Sequence, residues 1–260
     1  MWVLSANNLS KDFGGIKAIN NINVNIEEGK IVGLIGPNGA GKTTFFNLLT
    51  GIYSPTTGEI VYNLNSTVST KDLKPHKTVR YGIARTFQNI RLFGNMTVLE
   101  NILIGFHSRF KYGICTAMFR LPSYFKEESN AYRDAIELLD KFKLLYKKDE
   151  LAKNLPYGEQ RKLEIARALA SNPKLLLLDE PAAGMNPVET KELRELINWI
   201  RDIFNLTVIL IEHDMSLVMN ICDEILVFDY GNLVAKGTPE EIRNDERVIK
   251  AYLGEDVEKC

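Results

Sequence analysis

Long apolar runs are missing from this 260-residue chain. No segment reaches the roughly 18 consecutive apolar residues that a membrane-crossing helix needs. The nearest approach, residues 102–118, is broken by His107, Arg109 and Lys111, so the chain is not expected to cross a membrane by itself. Cysteine is scarce as well. Cys115, Cys222 and Cys260 follow no metal-type spacing, and an odd, sparse set of this kind suggests a reducing compartment. The opening residues, MWVLSANNLSKDF, have no basic segment followed by a long apolar stretch, so no secretory signal is expected. Excess charge is lacking too. A formal net charge of -1 gives no support to a nucleic-acid partner, which usually selects a basic face. Internal repeats and low-complexity tails are also missing. The expected location is the cytoplasm.

What is present describes an ordinary globular chain. Hydrophobic residues make up 45% and charged residues 25% of it, the average for a soluble protein. The length suffices for one large domain or two small ones with a substantial core. Residues 30–36, KIVGLIG, form a short apolar run ending in glycine, which predicts a buried strand. A helix over 41–50 follows, with Gly51 placed to end it. Further strands are expected at 60–62 and 83–87. From about residue 96 to 153 the pattern turns helical, with candidates at 97–107 and 127–145. Between them, FKYGICTAMFRLPSY reads as irregular and rich in aromatics. KLLLLD, 174–179, is then a compact buried strand. Residues 187–205 read as an amphipathic helix with Pro187 at its first position and Leu193, Leu196, Ile197 and Ile200 on one face. TVILIE, 207–212, is another apolar strand, and 224–237 reads as a hairpin turning at DYGN. Apolar strands alternating with helices predict an α/β core with a parallel sheet, into which a helical block near 93–153 is inserted.

Gly36-Pro37-Asn38-Gly39-Ala40-Gly41-Lys42-Thr43 matches the phosphate loop G-x-x-x-x-G-K-[ST]. Glycines let the backbone wrap closely around phosphates, so that N–H groups and the helix N-terminus face the negative charge. Lys42 would reach the β- and γ-phosphates, and the Thr43 hydroxyl would ligate Mg²⁺. The match falls between a strand and a helix, as this chemistry requires. In LLLLDE, Asp179 ends a buried strand where a carboxylate can join the Mg²⁺ shell, while Glu180 can orient and deprotonate an attacking water. Taken alone, many strands end in surface carboxylates. Gln88, after IARTF, can touch Mg²⁺ and the attacking water, although an isolated Gln is nearly always a surface residue. His213, just past TVILIE, lies at a strand's C-terminal end, where open α/β sheets bind ligands. It can donate to a γ-phosphate, although a lone His is more often structural.

In this order and at these intervals, GPNGAGKT, Gln88, the region 155–160, LLLLDEP and the EHD at 212–214 resemble the ATP-binding cassette of an ABC transporter. The resemblance runs from about residue 4 to 254. It implies one domain: a P-loop NTPase core (1–92 and 154–260) with an antiparallel β subdomain and an inserted helical subdomain (93–153). It adds Thr44 to the nucleotide contacts and Phe13 as the aromatic that stacks on adenine; blandly read, Phe13 is a core aromatic. FQNIRLFGNMTVLENILIGFH, LPYGEQRKLEIARAL, DEPAAGMNP and VIKAYLGE further resemble the ATPase subunits of branched-chain amino-acid importers. These are peripheral proteins on the cytoplasmic face of the membrane. They work with transmembrane permease subunits, a second ATPase subunit that is usually a different chain and sometimes an identical one, and indirectly a substrate-binding protein. ATP and Mg²⁺ are the implied cofactors. A lipid or polysaccharide exporter's ATPase, or a soluble non-transport cassette, shares most of these motifs.

Two segments depart from the family pattern. Where the signature LSGGQ has Ser and Gly, this chain has Pro156 and Tyr157. The signature contacts ATP held by the opposite subunit, so Tyr157, Gly158 and Glu159 would serve the partner's nucleotide. Pro156 has neither hydroxyl nor N–H, but suits a helix's first turn, with the helix running from Gly158. Losing one hydroxyl contact to a charged group costs about 1.5–3 kcal/mol if nothing replaces it. Asn186 stands where many cassettes have Asp, in the loop that couples the two composite sites.

Overall fold

A computed structural model of the chain describes residues 1–64, 66–70, 73–110, 112–119 and 121–253. Lys111, Gly254, Glu255 and Cys260, named above, lie outside the described residues. In chain order the elements are β1 (Trp2–Phe13), β2 (Ile16–Glu27), β3 (Ile31–Ile35), α1 (Lys42–Leu49), β4 (Thr57–Asn63), β5 (Thr67–Ser69) and β6 (Ile83–Arg85). Then come α2 (Val98–Phe106), α3 (Ile114–Met118), α4 (Pro122–Lys141), α5 (Tyr157–Ala170), β7 (Leu175–Asp179), α6 (Pro187–Phe204) and β8 (Thr207–Ile211). The last elements are α7 (Met215–Ile221), β9 (Glu224–Asp229), β10 (Asn232–Gly237), α8 (Pro239–Arg243) and α9 (Glu246–Leu253). They fall into two compact units, Met1–Gln88 with the chain from Lys174 onward, and Asn89–Pro173.

The first unit is α/β. Its larger sheet has the order β10-β9-β3-β8-β7-β6, in which β9 to β6 run parallel and β10 pairs antiparallel to β9. Every residue of β3, β7 and β8 is buried, which is why these strands read as continuous apolar runs. The β9–β10 hairpin turns on Tyr230 and Gly231, at φ 42° and 78°, the left-handed pair of a two-residue turn. A second sheet, β2-β1-β4-β5, is wholly antiparallel and supplies the β subdomain that the family resemblance implied. Its two long strands had no place in the periodicity reading because bulges break their alternation. Register shifts fall between Ala6 and Leu9 and between Leu9 and Lys11, with Asn8 and Asn21 at φ 48° and 50°. One signal was there: in Ile22-Asn23-Val24-Asn25-Ile26 the aliphatics are buried and the asparagines exposed. Phe45 and Phe46 of α1 are fully buried in the core that also holds Leu4, Ile22 and Tyr62 of this sheet. The Tyr62 hydroxyl donates to the Leu49 carbonyl at 2.8 Å.

The second unit is helical. α2 starts at Thr97, which caps it in a reciprocal box with Glu100: Oγ1 accepts from the Glu100 N–H at 3.1 Å, and Oε2 from the Thr97 N–H at 2.7 Å. α5 packs on α2 and α4, so this unit takes in more chain than the expected 93–153. The contact is close. A Cβ on Gly105 of α2 would lie 2.4 Å from the Arg167 carbonyl oxygen, a distance only glycine allows. The segment 110–124 is not irregular throughout as expected: α3 occupies part of it, and α4 opens at Pro122 rather than near 127. Proline suits that opening, since its missing N–H would have no helical partner. α4 stops at Lys141 rather than 145, with Lys143 at φ 56° turning the chain out of the helix.

Candidate functional site

The phosphate loop joins β3 to α1 in the first unit. Gly36, Gly39 and Gly41 have φ of 149°, 82° and 100°. A Cβ on Gly36 would meet the Phe228 carbonyl oxygen at 2.1 Å, and one on Gly41 that of Ala18 at 2.5 Å. Both positions therefore need glycine for close backbone approach. α1 has neither a side-chain cap nor an acidic residue in its first turn, which leaves its positive end to an anion. Lys42 is buried, and its Nζ donates to the Gly36 and Pro37 carbonyls at 2.6 and 2.9 Å. Burial lowers its pKa and the nearby Glu180 carboxylate opposes that shift. Asn38, Gly39, Ala40, Gly41, Lys42, Thr43 and Thr44 line an open pocket of about 370 Å³ together with Ile16, Lys17, Ala18, Glu180, His213 and Tyr230.

Gln88, Glu180 and His213 lie far apart in the sequence and meet beside this pocket. Gln88 Nε2 donates to Glu180 Oε2 at 2.7 Å, and His213 Nε2 lies 3.1 Å from Oε1. Glu180 sits at φ 46°, a left-handed conformation that costs a non-glycine residue on the order of 1 kcal/mol or more. Its N–H donates to the Ile211 carbonyl at 3.0 Å, which fixes that turn. Glu212, absent from the expected site, supports it from behind. The Glu212 carboxylate is buried and accepts from the N–H of Ala182 at 2.7 Å and of His213 at 3.1 Å. It thereby ties the loop after Glu180 to the His213 backbone. Burial pushes its pKa up.

Asp179 ends β7 as expected, buried, with Oδ2 accepting from Arg85 at 2.8 Å. Arg85 was also missed. Its signal was a charge closing the apolar run of β6 three residues before Gln88. Phe13 ends β1 half exposed, edge-on to Tyr53 with ring centroids 5.0 Å apart and Lys11 Nζ 5.0 Å from its own centroid. It lies outside the lining of the pocket, where Lys17 and Tyr230 stand instead.

The signature segment belongs to the helical unit. Pro156 is the N-cap of α5 rather than a first-turn residue, with φ -55° and ψ 153°, and the helix opens at Tyr157, one residue before the expected start. Its carbonyl accepts the Gln160 N–H at 2.9 Å, while Gln160 Nε2 donates to the Leu155 carbonyl at 2.8 Å. The N-cap makes no side-chain hydrogen bond, and Tyr157, Gly158 and Glu159 form the first turn, at the positive end of α5. The Glu159 carboxylate is turned to Tyr146 and Lys147, at 3.1 and 2.7 Å. The Tyr157 hydroxyl accepts from Arg161, which is fully buried and paired with Glu164 at 2.8 Å. Asn186, in the first unit, acts on its own helix. Its Oδ1 accepts from the Val188 and Glu189 N–H groups at 2.9 and 3.0 Å, capping α6.

A glycine-shaped loop between a buried strand and a helix, with two successive carboxylates at the end of the parallel strand β7, one strand removed across β8, defines a P-loop nucleotide-binding cassette. The chain belongs to the ABC transporter family, which it matches over residues 19–183. Residues 232–258 match a second family, the branched-chain amino acid ATP-binding cassette transporter. The chain is 49% identical over 253 residues to the high-affinity branched-chain amino acid transport ATP-binding protein LivG of Escherichia coli strain K12, covering 97% of this chain and 98% of that protein. Against BraF of Pseudomonas aeruginosa, which carries the same description, identity is 46% with the same coverage. Among solved structures, the ADP conformation of MJ1267, an ATP-binding cassette of an ABC transporter, superposes with a TM-score of 0.83 at 32% identity, covering 98% of this chain and all of that one. Among the described residues, no helix is long and apolar enough to cross a membrane.

Proposed function

We propose that this chain is the ATP-binding and ATP-hydrolysing subunit of an importer of branched-chain or related amino acids. It acts peripherally on separate permease subunits at the cytoplasmic membrane face. The observation that carries hydrolysis is the convergence of Gln88 and His213 on the two oxygens of Glu180 beside the phosphate loop. Catalysis of phosphoryl transfer is mostly positioning and charge neutralisation, and each residue has a place in it. Residues 36–44 cradle the triphosphate, Lys42 neutralises its β- and γ-phosphates, and Glu180 takes the proton of the attacking water. His213 and Gln88 orient γ-phosphate and water. Phe13 supplies a π-face at the open side for adenine.

The residues also suit Mg²⁺. Thr43 and Asp179 are a hydroxyl and a carboxylate, the small oxygen set that Mg²⁺ accepts while keeping waters and substrate phosphates as its other ligands. Asp179 is held rigidly by Arg85; Gln88 and Asp179 can also act through water. When bound, the ion neutralises phosphate charge.

Tyr157, Gly158 and Glu159 serve the ATP of a second ATPase subunit, which makes ATP the bond between the two chains. The cargo is set by the permease and the binding protein, because this chain contacts neither amino acid nor solute. ATP hydrolysis and amino-acid uptake by the assembled, membrane-reconstituted complex test the reading. Uptake that survives Glu180→Gln in this chain, or a co-purifying permease that exports lipid, would refute it.

A further inference from the structure

The Arg85 guanidinium touches both Asp179 and the helix that follows the phosphate loop. Its Nη2 donates to Asp179 Oδ2 at 2.8 Å, and its Nη1 donates to Asn47 Oδ1 at 2.8 Å and to Thr50 Oγ1 at 3.3 Å, both on the C-terminal part of α1 or its cap. The guanidinium carbon lies over the rings of Phe46 and Phe87, 5.5 and 5.2 Å from their centroids. The pair is almost dry, with side-chain exposures of 7% for Arg85 and 9% for Asp179. Nε is buried with no hydrogen-bond partner among the described residues.

Packing alone does not favour this arrangement. A buried ion pair is often no more stable than an apolar replacement of similar volume, and an unsatisfied N–H adds a further cost. What the arrangement does achieve is geometric. One planar group anchors Oδ2 of Asp179 and so restrains how the carboxylate turns. Through Asn47 and Thr50 the same group sets that orientation relative to α1, the helix that begins with Lys42 and Thr43. A flexible ammonium reaching only one of these anchors would not do so.

We propose that Arg85 is a positioning residue for the divalent cation: it sets the Asp179 carboxylate against the Thr43 end of the phosphate loop. The inference rests on the ATP and Mg²⁺ reading above. Loss of an outer partner of a metal ligand typically costs about 10–100-fold in metal affinity, and that loss should appear before any chemistry occurs. Phosphate contacts made by the loop and by Lys42 need no cation, so nucleotide affinity in a chelator should be spared.

The test is Mn²⁺ titration of the ADP-bound protein, followed by electron paramagnetic resonance, paired with ADP affinity in EDTA. Arg85→Met should weaken Mn²⁺ about 10-fold or more while ADP affinity in EDTA stays within about 2-fold. Arg85→Lys should recover part of the loss, since it keeps the charge but not the two-sided anchor. If Arg85→Met does not fold, Arg85→Lys and Asn47→Leu carry the test, each with a drop of about 3-fold or more in Mn²⁺ affinity. Unchanged Mn²⁺ affinity, or an equal fall of Mn²⁺ and EDTA-measured ADP affinities, overturns the proposal and leaves Arg85 a packing residue. A wild-type protein whose Mn²⁺ binding is no tighter than that of Asp179→Asn overturns the cation reading itself, which is a separate outcome.

Discussion

His213 Nε2 lies 3.1 Å from Oε1 of Glu180, and the other carboxylate oxygen is occupied by Gln88. A carboxylate held from both sides has little freedom left to lose, which suits the general-base role proposed for Glu180. General acid–base contributions typically amount to about 10²–10⁴ in rate. Glu180→Gln should therefore lower ATP turnover by a factor in that range while leaving ATP affinity within a few-fold. His213→Ala should also cut turnover. In the double variant the losses should fall well short of multiplying, because the two side chains act as one unit. Steady-state phosphate release beside equilibrium ATP binding measures this, and full multiplicativity would show that His213 works independently of Glu180.

The role proposed for Lys42 differs, in that its ammonium would serve the ground state as much as the transition state. A hydrogen bond to a charged group contributes about 1.5–3 kcal/mol, equivalent to roughly 10–150-fold in affinity. Lys42→Ala should thus weaken ATP by about that factor. A variant that binds ATP normally yet hydrolyses slowly would move Lys42 from binding to catalysis.

Most of the first unit's core was legible because its strands are buried on both faces and announce themselves as apolar runs: β3, β7 and β8 are wholly buried. The placement of residues 36–41 between β3 and α1, and of Asp179 at the end of β7, was legible because the loop pattern and the apolar run before the carboxylate mark both positions. Arg85 and Glu212 were not. Each acts through a partner distant in sequence, Asp179 and Ala182 respectively, and a lone charge beside an apolar run does not say whom it faces. The β1–β2 pair was hidden by its bulges, and α3 and the start of α4 by aromatics that carry no helical period. Pro156 fits the N-cap and the first turn of a helix alike, so its exact place, one position before the helix, needed the backbone angles.

Glu212 gives a pH dependence. Burial raises its folded pKa above the ordinary 4.5, so the folded protein holds this proton to higher pH than the unfolded chain does. The unfolded state then binds fewer protons, and stability falls as pH rises from about 4.5 through the raised value. The stabilising contribution is fully present only below that window. Replacing the group with an uncharged one, Glu212→Gln, should flatten this segment of the stability-against-pH curve, measured by urea denaturation from about pH 4 to about pH 8. A Gln variant with an unchanged slope would assign the pH dependence to other groups.

Pro156→Ser separates helix stability from nucleotide contact. A serine at the N-cap gains about 0.5–2 kcal/mol for α5, while loss of proline returns about 0.4–1 kcal/mol of freedom to the unfolded chain. The two nearly offset, so the melting temperature should change little. The new hydroxyl should nonetheless strengthen ATP-dependent association of this chain with its partner ATPase, read by sedimentation with and without ATP. Association that tracks thermal stability alone would remove Pro156 from the nucleotide contact.

Asn186 tests whether the two composite sites turn over unequally. Its amide oxygen caps α6, and Asp would keep that cap and add a favourable charge at the helix N-terminus, a gain of about 0.3–1 kcal/mol. Asn186→Ala should cost about 0.5–2 kcal/mol of stability. If the side chain also couples the sites, Asn186→Asp should change ATP turnover of the complex despite its equal or greater stability. The comparison is completed by introducing Glu180→Gln here and the equivalent change in the partner, one at a time. If, as proposed, the signature of this chain serves the partner's ATP and the partner's serves the ATP on residues 36–44, unequal signatures should give unequal losses of hydrolysis. Equal losses would mean that Pro156 and Asn186 leave both sites alike.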